Sequence, residues 1–200
     1  MQAVPVLNRN QIKGGVLYHD GQFDDARLLI SMMRTGHDAG ACLLNYMRVT
    51  GLIREQNQAI SGVAVRDAQS GEDFRIRGRA VINATGPFSD SIRAMDNEIQ
   101  ETMIAPSQGV HLVLPRALYP GDTAIIVPKT SDGRVIFVIP WHGHAIVGTT
   151  DTPIDEPCLE PRPRAKEIKF LLETVADYLE RPPESQEVLG YFTGVRPLVK

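Results

Sequence analysis

Residues 109–150 read GVHLVLPRALYPGDTAIIVPKTSDGRVIFVIPWHGHAIVGTT, and four short apolar runs inside that stretch decide the fold. GVHLVLP, AIIVPK, RVIFVIP and HAIVGTT are rich in Val, Ile and Leu and read as strands. Thr130-Ser131-Asp132-Gly133 and Trp141-His142-Gly143 supply the tight connections that join antiparallel neighbours. An antiparallel sheet is therefore expected across this part of the chain.

Downstream, Pro153, Pro157, Pro161 and Pro163 line an extended connector. Ala165, Ile168, Leu171, Leu172, Val175, Tyr178 and Leu179 then recur at helical spacing, so a helix is expected over about 164–180, stopped by Pro182-Pro183. Val188 to Thr193 reads as a last strand, with Arg196 following it in TGVRPLV.

Upstream, VTGLIRE, ISGVAVRD and FRIRGR read as antiparallel strands punctuated by Gly62, Ser70-Gly71 and Gly78. AVIN, residues 80–83, is apolar on successive positions, which predicts a strand buried on both faces and ended by the turn ATGP. SDSIRAMD, from Ser89, predicts a short capped helix. Before all of these, Asp24 and Asp25 open a helical stripe through Leu29, Met32, Met33, Gly36, Gly40, Leu43, Leu44 and Met47, giving a helix over 24–47. Gly36 and Gly40 on that stripe mean either that another backbone packs closely there or that the helix breaks.

Composition bounds the function. The 200 residues are 42% hydrophobic and 22% charged, which supports a packed core rather than disorder. Twenty-one Lys and Arg against 24 Asp and Glu, net charge −3, argue against nucleic acid as a partner. The longest apolar run, Val135 to Trp141, falls far short of the roughly 20 residues of a spanning helix, which leaves surface association with a membrane open. Cys42 and Cys158 are the two cysteines; they form no CxxC and suggest neither a disulfide scaffold nor a zinc site, and a reducing, cytoplasmic setting is expected. The N-terminus lacks the pattern of a signal peptide and reads as chain cut from something longer.

Neither GxGxxG after an N-terminal strand nor GxxxxGK[ST] occurs. The turn after AVIN offers bare main chain at Ala84 and Gly86, where backbone N–H groups can approach a bulky, charged ligand, although such turns also end many ordinary strands. His142 and His144 flank Gly143 in a turn and read as solvated rather than as metal ligands; no metal site is expected. His111 sits in an otherwise apolar strand, where an imidazole needs a partner or a task. Arg196, between glycine, valine and proline, needs an anion: either a phosphate or carboxylate ligand, or an internal salt bridge to Asp151 or Asp25. Gly148 to Thr152, GTTDT, puts hydroxyls and a carboxylate just after a strand.

Six stretches in this order resemble one family: GGVLYHDGQFDDARL (14–28), RAVINATGPFSD (79–90), SQGVHLVLP (107–115), DGRVIFVIPW (132–141), VGTTDT (147–152) and GVRPL (194–198). The chain is similar to the FAD-dependent glycerol-3-phosphate dehydrogenases, within the amino-acid-oxidase-like flavoproteins. The resemblance implies a mixed α+β and α/β architecture: residues 1–86 as the later part of an FAD-binding dinucleotide fold, and residues 87–200 as an antiparallel-sheet substrate domain with flanking helices. It implies oxidation of sn-glycerol 3-phosphate to dihydroxyacetone phosphate, with hydride passing to FAD and electrons onward to a quinone. Val49 and the turn Asn83, Ala84, Thr85 and Gly86 fall where the family meets the cofactor; His111 and Arg196 match its catalytic positions, and Thr149, Thr150 and Arg196 its substrate contacts. Attachment to the cytoplasmic face of a membrane and a homodimer belong to the same expectation. The family's N-terminal GxGxxG region is missing here, so the chain reads as an internal fragment of the active protein. An oxidase of the same fold, or a non-catalytic domain binding a phosphorylated ligand or a partner protein, are the alternatives.

Overall fold

The structure is a computed structural model describing residues 4–8, 10, 12, 14–96, 101–127, 130 and 133–200. The chain divides into two compact units: Leu17–Ala84 with Ser91–Gln100, and Met1–Val16 with Thr85–Asp90 and Glu101–Lys200.

In the first of these units, α1 (Asp25–Asp38) begins where the Asp24 carboxylate accepts the Arg27 backbone N–H at 2.9 Å, leaving Asp25 in the positive first turn. The helix expected to run to Met47 ends nine residues earlier. Gly40 adopts φ +91°, and its N–H and that of Ala41 bond back to His37 and Gly36, which closes the helix by a left-handed cap. A side chain at Gly36 would meet only Ala41, at 3.9 Å, so the glycines mark a break and no close backbone. Met47 instead opens β1 (Met47–Arg54), which pairs with β2 (Ile60–Asp67), and β2 with β3 (Asp73–Arg77), in an antiparallel sheet. Ile53 and Val65 are its buried hydrophobic residues.

The buried strand expected at AVIN does not form. Residues 80–83 make no ladder pairing among the described residues, and Ile82 is 88% exposed. A segment apolar on both faces becomes a strand only when neighbours supply hydrogen bonds on its edges and cover on its faces. The short helix expected from Ser89 does form: a 3-10 turn (Gly86–Phe88) leads into α2 (Ser89–Asp96).

The other unit is built on β4 (Ile104–Pro115), β5 (Ile125–Val127), β6 (Ile136–Trp141), β7 (His144–Gly148), β8 (Thr152–Pro153) and β9 (Gly190–Val199), with α3 (Ala165–Ala176) between β8 and β9. The sheet order is β5-β6-β7-β4-β8, with β9 on the other side of β4, and every pairing is antiparallel. The turn into β6 closes through Gly133 N–H to Thr130 O; its Ser131 and Asp132, and Pro128-Lys129 of the preceding run, lie outside the described residues.

Strand alternation sets two faces. Val110, Leu112 and Leu114 of β4, Ile136 and Val138 of β6, and Ala145 and Val147 of β7 point to the side where Leu171 and Val175 of α3 pack. Burying each large aliphatic side chain there contributes roughly 1.5–3 kcal/mol. The helix expected to reach residue 180 stops at Ala176, where a turn leads to a bridge with the N-terminal segment: Leu7 pairs with Leu179, and the Asn8 and Glu180 N–H groups bond Tyr178 O and Val6 O. Leu179, beyond the end of the helix, still packs in the core.

The last strand is longer than the expected 188–193. It continues through Arg196 and Pro197, so Arg196 lies within the strand rather than beyond its end. Pro197 is tolerated because β9 has β4 as its one neighbour among the described residues, and a proline can turn its missing donor to that free edge.

Candidate functional site

The face of the β4–β7–β9 sheet opposite α3 carries the chemistry. Register places Ser107 across from Arg196, Gly109 from Gly194 and His111 from Phe192, while Gly148 of β7 lies beside His111 on its other side. Period-two alternation puts all of these on one face.

His111 is half-buried. Its ring stacks on Phe192, with centroids 4.7 Å apart and planes 10° from parallel. On the β7 side a Cβ at Gly148 would fall 2.2 Å from His111 Cδ2, so the imidazole occupies the space that a side chain there would take. The ring is thus held between an aromatic wall and bare main chain.

Arg196 reaches back along the same face. Its Nη1 donates to Asp151 Oδ1 at 2.8 Å; its Nη2 donates to Thr150 O at 2.6 Å and to Thr149 Oγ1 at 3.3 Å. A Cβ at Gly109 would lie 2.7 Å from Nη2 and 2.6 Å from Thr149 Oγ1, so the guanidinium rests over that glycine. Ser107 Oγ also donates to Asp151 Oδ1. The Arg196 and Asp151 side chains are 37% and 41% exposed, a setting in which the ion pair itself contributes no more than about 1 kcal/mol. Of the two internal partners considered for Arg196, Asp151 is the one it meets.

Thr149 and Thr150 divide their work. The peptide bond joining Gly148 to Thr149 is cis. Thr149 Oγ1 faces Arg196, whereas Thr150 is fully buried and its hydroxyl accepts the Val110 N–H at 2.9 Å. It is the Thr150 carbonyl, not its side chain, that turns toward the guanidinium.

Beneath this cluster, Glu167 of α3 is 3% exposed and fully engaged: Oε1 accepts Thr152 Oγ1 at 2.6 Å, and Oε2 accepts Gln108 Nε2 at 2.9 Å and Arg164 N at 2.7 Å. Gln108 adjoins Gly109 and Thr152 adjoins Asp151, so one buried carboxylate pins both segments that carry the Arg196 cradle. Sequence reading missed Gly109, Gly148, Phe192 and Glu167. Glycines inside strands that otherwise read as apolar were the available signal, since they mark close approach.

The turn Asn83–Gly86 crosses the boundary between the units, which falls between Ala84 and Thr85. Gly86 has φ +54° and nothing within 4 Å of an added Cβ, while its carbonyl accepts the Ser89 hydroxyl at 2.7 Å. Val49 lies on β1 opposite Val65, next to a register shift that frees main chain from the ladder. His142 has φ +43°, and its carbonyl lies 3.0 Å from His144 Nδ1. Cys42 and Cys158 are unpaired and exposed. Among the described residues, no helix is long and apolar enough to cross a membrane.

The chain belongs to the family of FAD dependent oxidoreductases (DAO), whose pattern it matches over residues 2–200. It is 38% identical over 205 residues to the mitochondrial glycerol-3-phosphate dehydrogenase of Schizosaccharomyces pombe, an alignment covering 98% of this chain and 32% of that protein. Against the mitochondrial glycerol-3-phosphate dehydrogenase SDP6 of Arabidopsis thaliana it is 42% identical, over 99% of this chain and 32% of the relative. In structure it resembles the glycerol-3-phosphate dehydrogenase of Bacillus halodurans complexed with FAD, with TM-score 0.93 and 32% identity, over all of this chain and 40% of that one. The chain thus spans about a third of the length of the curated relatives it matches.

The family and its cofactor agree with the resemblance read from the sequence. The cytoplasmic setting does not: the relatives are named mitochondrial, and the expectation is corrected on that finding.

Proposed function

We infer that this chain is the part of an FAD-dependent dehydrogenase that holds sn-glycerol 3-phosphate while its C2 hydroxyl is oxidised to the ketone of dihydroxyacetone phosphate. The observation that carries this reading is the placement of a guanidinium and an imidazole on one sheet face that α3 leaves open. The guanidinium rests over Gly109, two residues from His111 along β4, a separation of about 7 Å at strand rise. That span suits a three-carbon phosphate whose anionic end meets Arg196 while its middle hydroxyl meets His111.

Gly86, where nothing lies within 4 Å of an added Cβ, lets a diphosphate approach main chain closely, which fits the binding of FAD. FAD, when bound, supplies the acceptor for the hydride that leaves C2. His111 takes the hydroxyl proton as a neutral base, fixed in orientation by Phe192 and Gly148. Arg196 holds the phosphate with a fixed positive charge, and Thr149, whose hydroxyl accepts Arg196 Nη2 and donates to Thr150 O, helps to hold the guanidinium. Quinone as the onward acceptor, attachment to a membrane surface and pairing of two copies are expectations of this reading that rest on family resemblance alone.

Arg196→Ala in the full-length protein tests the assignment. Loss of a charge-assisted hydrogen bond of about 1.5–3 kcal/mol lowers kcat/KM for sn-glycerol 3-phosphate roughly tenfold or more. Unchanged turnover would rule out the anion site.

A further inference from the structure

We propose that Asp151 is the positioning residue of the Arg196 guanidinium, aiming it at the bound anion rather than serving as its resting counter-ion. The proposal rests on the reading of Arg196 as an anion-binding group. A guanidinium has five N–H donors, and three of them are engaged here: Nη1 by Asp151 Oδ1, and Nη2 by Thr150 O and Thr149 Oγ1. Among the described residues nothing takes the second Nη1 hydrogen or the Nε hydrogen, and the side chain is partly open to solvent, which leaves both for a ligand.

Nη2 is held by the stretch after β7, and Gly109 beneath it gives the room it needs. A guanidinium anchored at Nη2 alone can still swing about that point. Asp151 removes this freedom by holding Nη1, because it is itself fixed: the Ser107 hydroxyl donates to the same Oδ1, and the Arg134 Nη1 donates to the Asp151 carbonyl at 2.6 Å. Ser107 stands directly across the ladder from Arg196, so strand register sets the carboxylate and the cation in one frame. Two fixed nitrogens define the guanidinium plane, and a planar fork binds phosphate well only when its plane is set.

Charge and position make opposite predictions at this residue. If Asp151 merely neutralises Arg196, removing its charge strengthens anion binding. If it positions Arg196, removing the acceptor atom weakens binding whatever happens to the charge. Asp151→Asn keeps an oxygen at Oδ1 and loses the charge; Asp151→Ala loses both. The side chain is 41% exposed, so truncation leaves no buried void, and Asp151→Ser carries the same prediction as Ala.

The experiment uses the full-length, FAD-loaded protein and two probes, sn-glycerol 3-phosphate and inorganic phosphate, with Kd read by calorimetry and the rate of flavin reduction read per bound flavin. Asp151→Ala is expected to weaken binding of both probes and to slow flavin reduction about tenfold or more, the scale of a misplaced group, while Asp151→Asn stays within about threefold of wild type. Binding by Asp151→Ala as tight as wild type, or tighter, would overturn the proposal, as would an Asp151→Asn as impaired as Ala. Wild-type protein that binds phosphate but not sn-glycerol 3-phosphate would overturn the substrate reading and leave the Asp151 comparison to be read on phosphate. Wild-type protein that binds neither would overturn both.

Discussion

Gly148 has no side chain because the His111 imidazole fills the place of one. A methyl group there, 2.2 Å from Cδ2, cannot be accommodated without moving the ring, and overpacking of this kind costs about 1–3 kcal/mol. The two positions therefore give a paired prediction. His111→Ala is expected to slow flavin reduction while leaving the melting temperature nearly unchanged, since the half-buried ring contributes stacking on Phe192 but no core. Gly148→Ala is expected to lower both. Stopped-flow reduction beside thermal denaturation of each variant checks this, and a His111→Ala protein that fails to fold would return His111 to a purely structural role. His111 and Arg196 were legible in the sequence as polar groups in rigid apolar settings. Their supports were not, because Gly109, Gly148 and Phe192 acquire meaning only through strand register, which pairs residues 37 and 81 positions from His111.

At the scale of elements, local chemistry foretold what local chemistry controls. β2 over Ile60–Asp67 and α2 over Ser89–Asp96 have the expected bounds, although the Ser89 hydroxyl donates to Gly86 O and does not cap the helix. The failures lie where a partner decides. α1 stops at a left-handed Gly40, AVIN lacks paired neighbours among the described residues, and α3 yields to a turn whose Leu179 bridges to Leu7. β9 outruns its apolar signal because β4 continues to offer hydrogen bonds as far as Ile104, opposite Val199. Tyr119, just after β4, shows how an element can set a titration. It is buried, its hydroxyl donates to Thr123 O at 2.6 Å, and burial pushes its pKa above the ordinary 10.0, with Arg116 opposing weakly. The folded state thus holds this proton more tightly than the unfolded chain, so the stabilisation is complete below pH 10.0 and declines as the pH rises above it. Tyr119→Phe is expected to flatten the fall in stability above that pH at the cost of about 1 kcal/mol below it. Denaturant titrations at pH 8 and above pH 10 measure the difference, and an unchanged alkaline slope would mean that other groups carry it.

For the molecule as a whole, the sheet works as a platform with divided duties. One face is sealed by α3 and a continuous aliphatic core, and its rigidity transmits to the other face through Glu167, which grips Gln108 and Thr152 from below. The open face then presents His111 and Arg196 on fixed strands and Thr149 just after β7, with glycines keeping the surface low between them. Fold class and family could be read from the ordered motifs, because each motif marks a turn or strand that this architecture requires. The compartment could not, because cysteine usage records redox conditions alone. The most direct test is to express the full-length protein carrying this segment, load it with FAD, and follow the flavin absorbance anaerobically as sn-glycerol 3-phosphate is added. The expected result is bleaching that needs no other reductant and that Arg196→Ala slows. A flavin that binds and stays oxidised in the presence of sn-glycerol 3-phosphate would contradict the assignment.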